Sequence, residues 1–239
     1  MKLIKKITFI IIFIFVNVNA FGAVSRVVDS FQVTQRIPTG VVFNPDGTKM
    51  FISGMSQNRV MEFDLTTGFD VSEATINSNE CDHADKDGNV VDLRLNSNGT
   101  KLFIVGYDNK IILEYSLSTA YDVSTCSYEN TFFSGDGLNP RSMAFNTNGT
   151  KLFIYDQTGN YSVKQYSLNS AYDLTNATLV KEYTGTASKT LKEIEAFAQG
   201  MAFSADGTKM YLTGDKEDKV HEFNLSTSCL LYTSPSPRD

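Results

Sequence analysis

Short apolar stretches separated by tight polar turns recur along this chain, and their spacing predicts β-strands. Val41 and Phe43 alternate with Gly40 and Val42, the period of two that a strand requires. Asp46-Gly47 interrupts this stretch, and Met50-Phe51-Ile52 opens a second one. Asn98-Gly99, Asn148-Gly149 and Asp206-Gly207 stand at the same kind of junction. An Asp-Gly or Asn-Gly pair between two apolar runs predicts a hairpin, because Gly accepts the positive φ of the turn and Asp or Asn bonds its own backbone there. Val60 to Leu65 predicts a third strand, with Val60 and Glu62 on one face and Met61 and Phe63 on the other. A fourth follows a Tyr-Asp-Val or Tyr-Asp-Leu phrase and is clearest from Ala177 to Tyr183.

The pattern is a repeat. GVVFNPDGTKMFISG from Gly40 returns as DLRLNSNGTKLFIVG from Asp92, SMAFNTNGTKLFIYD from Ser142 and GMAFSADGTKMYLTG from Gly200. A second phrase follows each copy, at Val60, Ile112, Val163 and Val220. The turn glycines Gly47, Gly99, Gly149 and Gly207 are separated by 52, 50 and 58 residues. Strand-rich units of about fifty residues fit the blades of a β-propeller better than a helical solenoid. The expected fold is all-β, with four-stranded antiparallel blades over 38–89, 90–139, 140–197 and 198–228. The strand at Val41 is expected innermost. The segment 21–37 contains a lone strand from Ser25 to Val33, which would seal a closed ring.

The phrase FISGMSQNRVMEFDLTT resembles the repeat of the YVTN family of β-propellers, and the likeness recurs from Pro38 to Ser228. It is similar, more distantly, to lactonase-like propellers. No Trp-Asp dipeptide is present, so the chain does not resemble a typical WD40 array. The resemblance implies a ring of six to eight blades, of which four repeats stand here and the rest are missing.

Both ends lie outside the repeat. Residues 1–20 combine Lys2, Lys5 and Lys6 with an apolar run from Ile7 to Val16 and the small-residue site Val18-Asn19-Ala20, which reads as a signal peptide. The protein is therefore expected to be exported, periplasmic or extracellular, with no membrane span after signal removal. Residues 229–239, CLLYTSPSPRD, back-translate to a transposase adapter used in sequencing libraries and are expected to be an artefact. That leaves Cys81 and Cys126, which occupy different repeat positions and are not expected to meet. The net charge of −6, with basic residues scattered, argues against nucleic acid as a partner.

Catalytic signatures such as HExxH, CxxC pairs and Gly-x-Ser-x-Gly are absent from the sequence, and no catalytic residue is assigned. Glu62, Glu114, Gln165 and Glu222 are equivalent, as are Asp70, Asp122 and Asp173; recurrence in each blade predicts a structural task. Recognition is expected where the copies differ, on the loops Glu80–Val90, Phe133–Arg141 and Tyr183–Gln199. The candidate ligand face comprises Asp82, Asp85, Asp87, Asp92, Asp136, Arg141, Glu193 and Glu195. Asp85 and Asp87 have the spacing of a calcium loop without its closing Glu, so no metal is assigned, and a divalent cation is the one cofactor this face suggests. The leading expectation is a non-catalytic binding or surface-interaction scaffold for a protein, sugar or small molecule. The alternatives are a lactonase-like, metal-assisted hydrolase using channel carboxylates, and a propeller segment of a larger adhesin.

Overall fold

The structure is a computed structural model, which describes residues 30–33, 35, 37–132, 137–204, 206–215 and 218–225. The segments expected to be a signal peptide and an adapter artefact lie outside the described residues, as does most of the lone strand expected from Ser25; its described part, Ser30–Val33, is not in a strand. The repeats fold as antiparallel sheets, each strand hydrogen-bonded to the next in chain order. The first blade holds β1 (Pro38–Phe43), β2 (Lys49–Gly54), β3 (Arg59–Asp64) and β4 (Thr75–Asp82). The second holds β5 (Val90–Leu95), β6 (Lys101–Gly106), β7 (Ile111–Leu117) and β8 (Cys126–Phe132). The third holds β9 (Pro140–Phe145), β10 (Lys151–Asp156), β11 (Ser162–Ser167) and β12 (Thr178–Tyr183). A single helical turn, α1 (Leu191–Ile194), leads to the last blade, whose described strands are β13 (Ala198–Phe203), β14 (Lys209–Gly214) and β15 (Val220–Asn224). The arrangement is a four-blade β-propeller, with β1, β5, β9 and β13 packed against one another in succession as the innermost strands.

Each β-hairpin is fixed by its own polar residues. In blade 2 the Asn96 side chain accepts from Lys101 N at 2.9 Å, and Asn98 accepts from the hydroxyl and N–H of Thr100. Gly99 sits at φ +71°, and a Cβ there would lie 2.4 Å from the Tyr121 ring. Tyr121 itself has φ +57° and presses its ring onto the hairpin, as Phe69 and Tyr172 do in their blades. The glycine is thus required twice, by its backbone angle and by the ring above it. The aspartate after each aromatic caps a turn: Asp70, Asp122 and Asp173 accept from Ser72, Ser124 and Thr175 N–H.

Blades bury their faces on each other, as repeat units must when no single one can cover its own apolar surface. Phe51 and Val60 meet Leu93, Leu102 and Leu113 between blades 1 and 2. Phe103 and Ile112 meet Met143, Leu152 and Ile154 between blades 2 and 3. Phe153 and Tyr155 meet Met201, Met210 and Leu212 between blades 3 and 4. The outward face of blade 1 is covered by Phe31 and Val33, and the Phe31 ring stands edge-on to Phe63 at 5.4 Å. The outward face of blade 4 is different. β15 is half-buried or exposed throughout, and Val220 is 69% exposed where Val60 and Ile112 are fully buried.

One sequence expectation is overturned. Cys81 and Cys126 form a disulfide between blades 1 and 2. Cys81 is the last residue but one of β4 and Cys126 begins β8, so they are not equivalent within the repeat. The short turn before β8 packs against β4 of the preceding blade, which brings the end of one outer strand to the start of the next. Equivalent positions face equivalent neighbours, but contact across a blade boundary joins different positions.

Candidate functional site

The described parts of the loops expected to carry function lie at the same end of the blades as the β2–β3 turn and its counterparts, opposite the hairpins. Here the blades share a buried polar plug. In blade 2 it is Asp87, 1% exposed, which accepts from Asn89 N at 3.0 Å and Asn109 N at 2.8 Å. Gly106 at the end of β6 makes the room, since a Cβ there would lie 2.4 Å from the Asp87 carboxylate. In blade 4 the plug is Glu195, fully buried, which accepts from Phe197 N at 3.1 Å, lies 3.6 Å from His221 Nε2 and would collide with a Cβ on Gly214. Blade 1 uses Gln35 against Gly54. Blade 3 reverses the scheme. Asp156 replaces the strand glycine and accepts from Asn139 N at 2.8 Å and Thr158 N at 3.1 Å. In two blades the third-strand column supplies a basic partner, Lys164 to Asp156 at 2.8 Å and His221 facing Glu195, whereas Met61 stands beside neutral Gln35 and Leu113 in the blade whose plug, Asp87, is met by backbone amides.

Asp92 lies nearer the axis, at the start of an innermost strand. It is 6% exposed and accepts from Ser142 Oγ at 2.8 Å and Met143 N at 3.0 Å. Ser142 Oγ in turn accepts from Met201 N at 3.1 Å, so one line of hydrogen bonds ties blades 2, 3 and 4. Burial raises the Asp92 carboxyl above its ordinary pKa, against the pull of Arg94 and these donors. Asp92 and Arg94 are the charged lining of a cleft of about 360 Å³, whose apolar lining includes Val41, Leu212 and Val220 with the Tyr211 ring.

The remaining candidates are more exposed. Asp82 accepts from Ala84 N at 2.8 Å, and Asp85 pairs with Lys86 at 2.7 Å, which holds its carboxyl below the usual range. Asp85 and Asp87 do not converge: the first points to solvent and the second is buried in the plug. Glu193 closes a capping box by accepting from Thr190 N at 2.8 Å. Asp136 lies outside the described residues. Among the described residues no three His, Cys, Asp or Glu side chains converge as a metal set would. Arg141 bridges two blades, with its guanidinium 4.2 Å over the exposed Tyr107 ring and its Nε donating to Gln157 Oε1 at 2.8 Å. Tyr107 and Gln157 were not legible as site residues; their one signal is that the position after the second strand differs in every copy, as Met55, Tyr107, Gln157 and Asp215. His83 is fully buried, with Nδ1 2.7 Å from the Asp87 carbonyl and burial lowering its pKa. No described helix is long and apolar enough to cross a membrane.

The fold and this face define a β-propeller, and solved structures of that fold resemble it. A candidate 6-phosphogluconolactonase from Bacteroides uniformis matches at 12% identity and TM-score 0.53, over 78% of this chain and 50% of its own. The periplasmic gluconolactonase of Pseudomonas aeruginosa matches at 11% and 0.54, over 77% and 48%. A β-propeller domain from Myceliophteria thermophila matches at 14% and 0.50, over 79% and 54%. The chain therefore spans about half the length of these structures, and the likeness is one of fold. Neither a protein-family model nor a curated protein matches the sequence.

Proposed function

We propose that the protein is an exported, non-catalytic binding scaffold of the YVTN propeller type, which recognises a protein, sugar or small molecule on its loop face. One observation carries this reading. The candidate carboxylates Asp87, Asp92 and Glu195 are buried and accept hydrogen bonds from the backbone, so they hold blades and loops in place. What the face presents to a partner is the Arg141–Tyr107 pair, and Arg and Tyr are the residue types that concentrate binding energy at interfaces. The net charge of −6 disfavours nucleic acid as that partner. Export is supported by the basic and apolar N-terminal stretch together with a disulfide, which persists in oxidising compartments.

A second reading, a lactone hydrolase, draws on the Asp92–Arg94 pair lining the cleft and the raised pKa of its carboxyl. A panel of sugar lactones separates the two readings. Acid release is followed in a pH-stat with and without added Ca²⁺, Mg²⁺, Mn²⁺ or Zn²⁺. The scaffold reading expects no turnover above the buffer rate. Turnover that Asp92→Asn abolishes, with the melting temperature unchanged, establishes the hydrolase instead.

A further inference from the structure

Glu62 and Glu114 close a latch between successive blades. Each takes a lysine of its own blade on Oε1, Lys49 and Lys101 respectively. Each then uses Oε2 to accept a turn N–H of the next blade, Val123 N at 3.0 Å and Leu174 N at 3.1 Å. The two partners lie 61 and 60 residues along the chain. Gln165 stands in this column in blade 3, and the positions of blade 4 that would match Val123 and Leu174 lie outside the described residues.

Glu222 has the first half of the latch and lacks the second. Its Oε1 takes Lys209 of its own blade, yet among the described residues no turn amide meets it. Its side chain is 47% exposed, against 0% for Glu62 and 3% for Glu114. Tyr211, in the column of the buried Phe51, Phe103 and Phe153, is only half-buried, and Val220 beside it is exposed.

We propose that this face of blade 4 is the seat of a fifth repeat carried by the same polypeptide, and that Glu222 latches its turn amide. Continuity with the other interfaces supplies the chemistry of the occupant: an apolar blade face and a turn of the Tyr-Asp-Val kind. A second copy of this chain is a poorer occupant, because the blade 1 face it would offer is already covered by Phe31 and Val33. The apolar lining of the cleft, Tyr211 and Val220 with Val41, is then blade surface awaiting blade surface.

Two measurements test this. The gene is read past codon 228 from unfragmented DNA. A Tyr-Asp-Val or Tyr-Asp-Leu turn about sixty residues after Glu222 is expected, by the spacing of the two closed latches, and a stop codon before that point overturns the proposal. Independently, residues 118–197 are appended after Leu225. Leu117 and Leu225 hold the same place in their blades, each donating to the hairpin threonine carbonyl, so the graft keeps the phase of the repeat. Hydroxyl-radical labelling of Tyr211 should fall several-fold in the extended chain. Glu222→Ala should lower the melting temperature of the extended chain by roughly 5 °C while leaving the 239-residue chain unchanged. Unchanged labelling in an extended chain whose strand signal has grown by circular dichroism counts against the proposal. So does a 239-residue chain that is already dimeric with Tyr211 protected, because a second copy then fills the seat.

Discussion

Glu114→Ala isolates the worth of one inter-blade latch. Glu114 is 2% exposed and receives both the Lys101 ammonium and Leu174 N–H, and Leu174 is itself 1% exposed. Deleting the carboxylate leaves a buried amide without an acceptor and a lysine without its partner. Breaking a buried pair from one side costs roughly 3–5 kcal/mol. Lys101 keeps the Tyr172 carbonyl at 2.9 Å and is a quarter exposed, so water and that carbonyl recover part of the loss. The expected cost is therefore about 3 kcal/mol. Glu222→Ala removes the same residue type with the same lysine partner, but both side chains are well exposed, and the expected cost is about 0.5 kcal/mol or less. Urea unfolding followed by far-UV circular dichroism compares them. With an m-value of about 2 kcal/mol/M, Glu114→Ala should lower the midpoint by about 1.5 M, and Glu222→Ala should leave it nearly in place. Glu114→Gln retains an acceptor for Leu174 and should lose about half as much. Equal losses for the Glu114 and Glu222 variants would refute the latch, since Glu114 is the one that is buried and holds a turn amide of the next blade.

Gly99→Ala should cost about 2–3 kcal/mol in the same assay, from a left-handed backbone angle combined with a displaced Tyr121 ring, and less when Tyr121→Ala accompanies it. Burial holds His83 below the ordinary pKa of 6.5, so the unfolded chain takes up a proton before the folded one does as the pH falls. Stability should be full above about pH 6.5 and decline below it by up to about 1.4 kcal/mol per pH unit, and His83→Gln should abolish that slope in urea midpoints measured from pH 7.5 to 5. Cys81–Cys126 closes a loop with a sequence separation of 45, for which chain entropy gives about 4 kcal/mol. Replacing both cysteines by serine should lower the unfolding free energy by 2–4 kcal/mol, and an unchanged midpoint would show that the bond does not constrain the unfolded chain.

The strands and hairpins were legible because their causes are local: a period of two, an Asn-Gly or Asp-Gly turn, and a glycine that nothing else replaces under Tyr121. The faces of β3 were legible for the same reason, with Val60 turned to blade 2 and Met61 and Phe63 turned away. The recurrence of Glu62 and Glu114 identified them as structural, but not that their carboxylates cross to the next blade. Contacts across a blade boundary escape a repeat alignment, because they join unlike positions. Cys81 with Cys126 is one case. The plug is a different matter. Gln35, Asp87 and Glu195 each stand twelve residues before the turn glycine of their blade, where blade 3 has Gly137. Asp156 takes the strand position held by Gly54, Gly106 and Gly214, so the exchange is visible only when the alignment is carried back over the loops. Asp87 and Glu195 drew notice as loop acids, and only their partners tell that they face inward. Arg141 was visible as a loop cation, while Tyr107 beneath it carried no pattern of its own.

Blade 3 holds its plug on the strand and blade 2 holds it on the loop, and this difference has a consequence for how such a protein changes over generations. Gly106→Asp alone would drive a second carboxylate into the space that Asp87 fills. Asp87→Gly alone would strip the acceptor from the Asn89 and Asn109 amides. Both single steps lie lower than either end, so neighbouring repeats stand on opposite sides of a fitness valley that point mutations cross with difficulty. Duplication of a whole blade, loop and strand together, carries the matched pair across intact. Inheritance in this array is therefore expected to run by the blade, with recombination points falling between plugs and not within them.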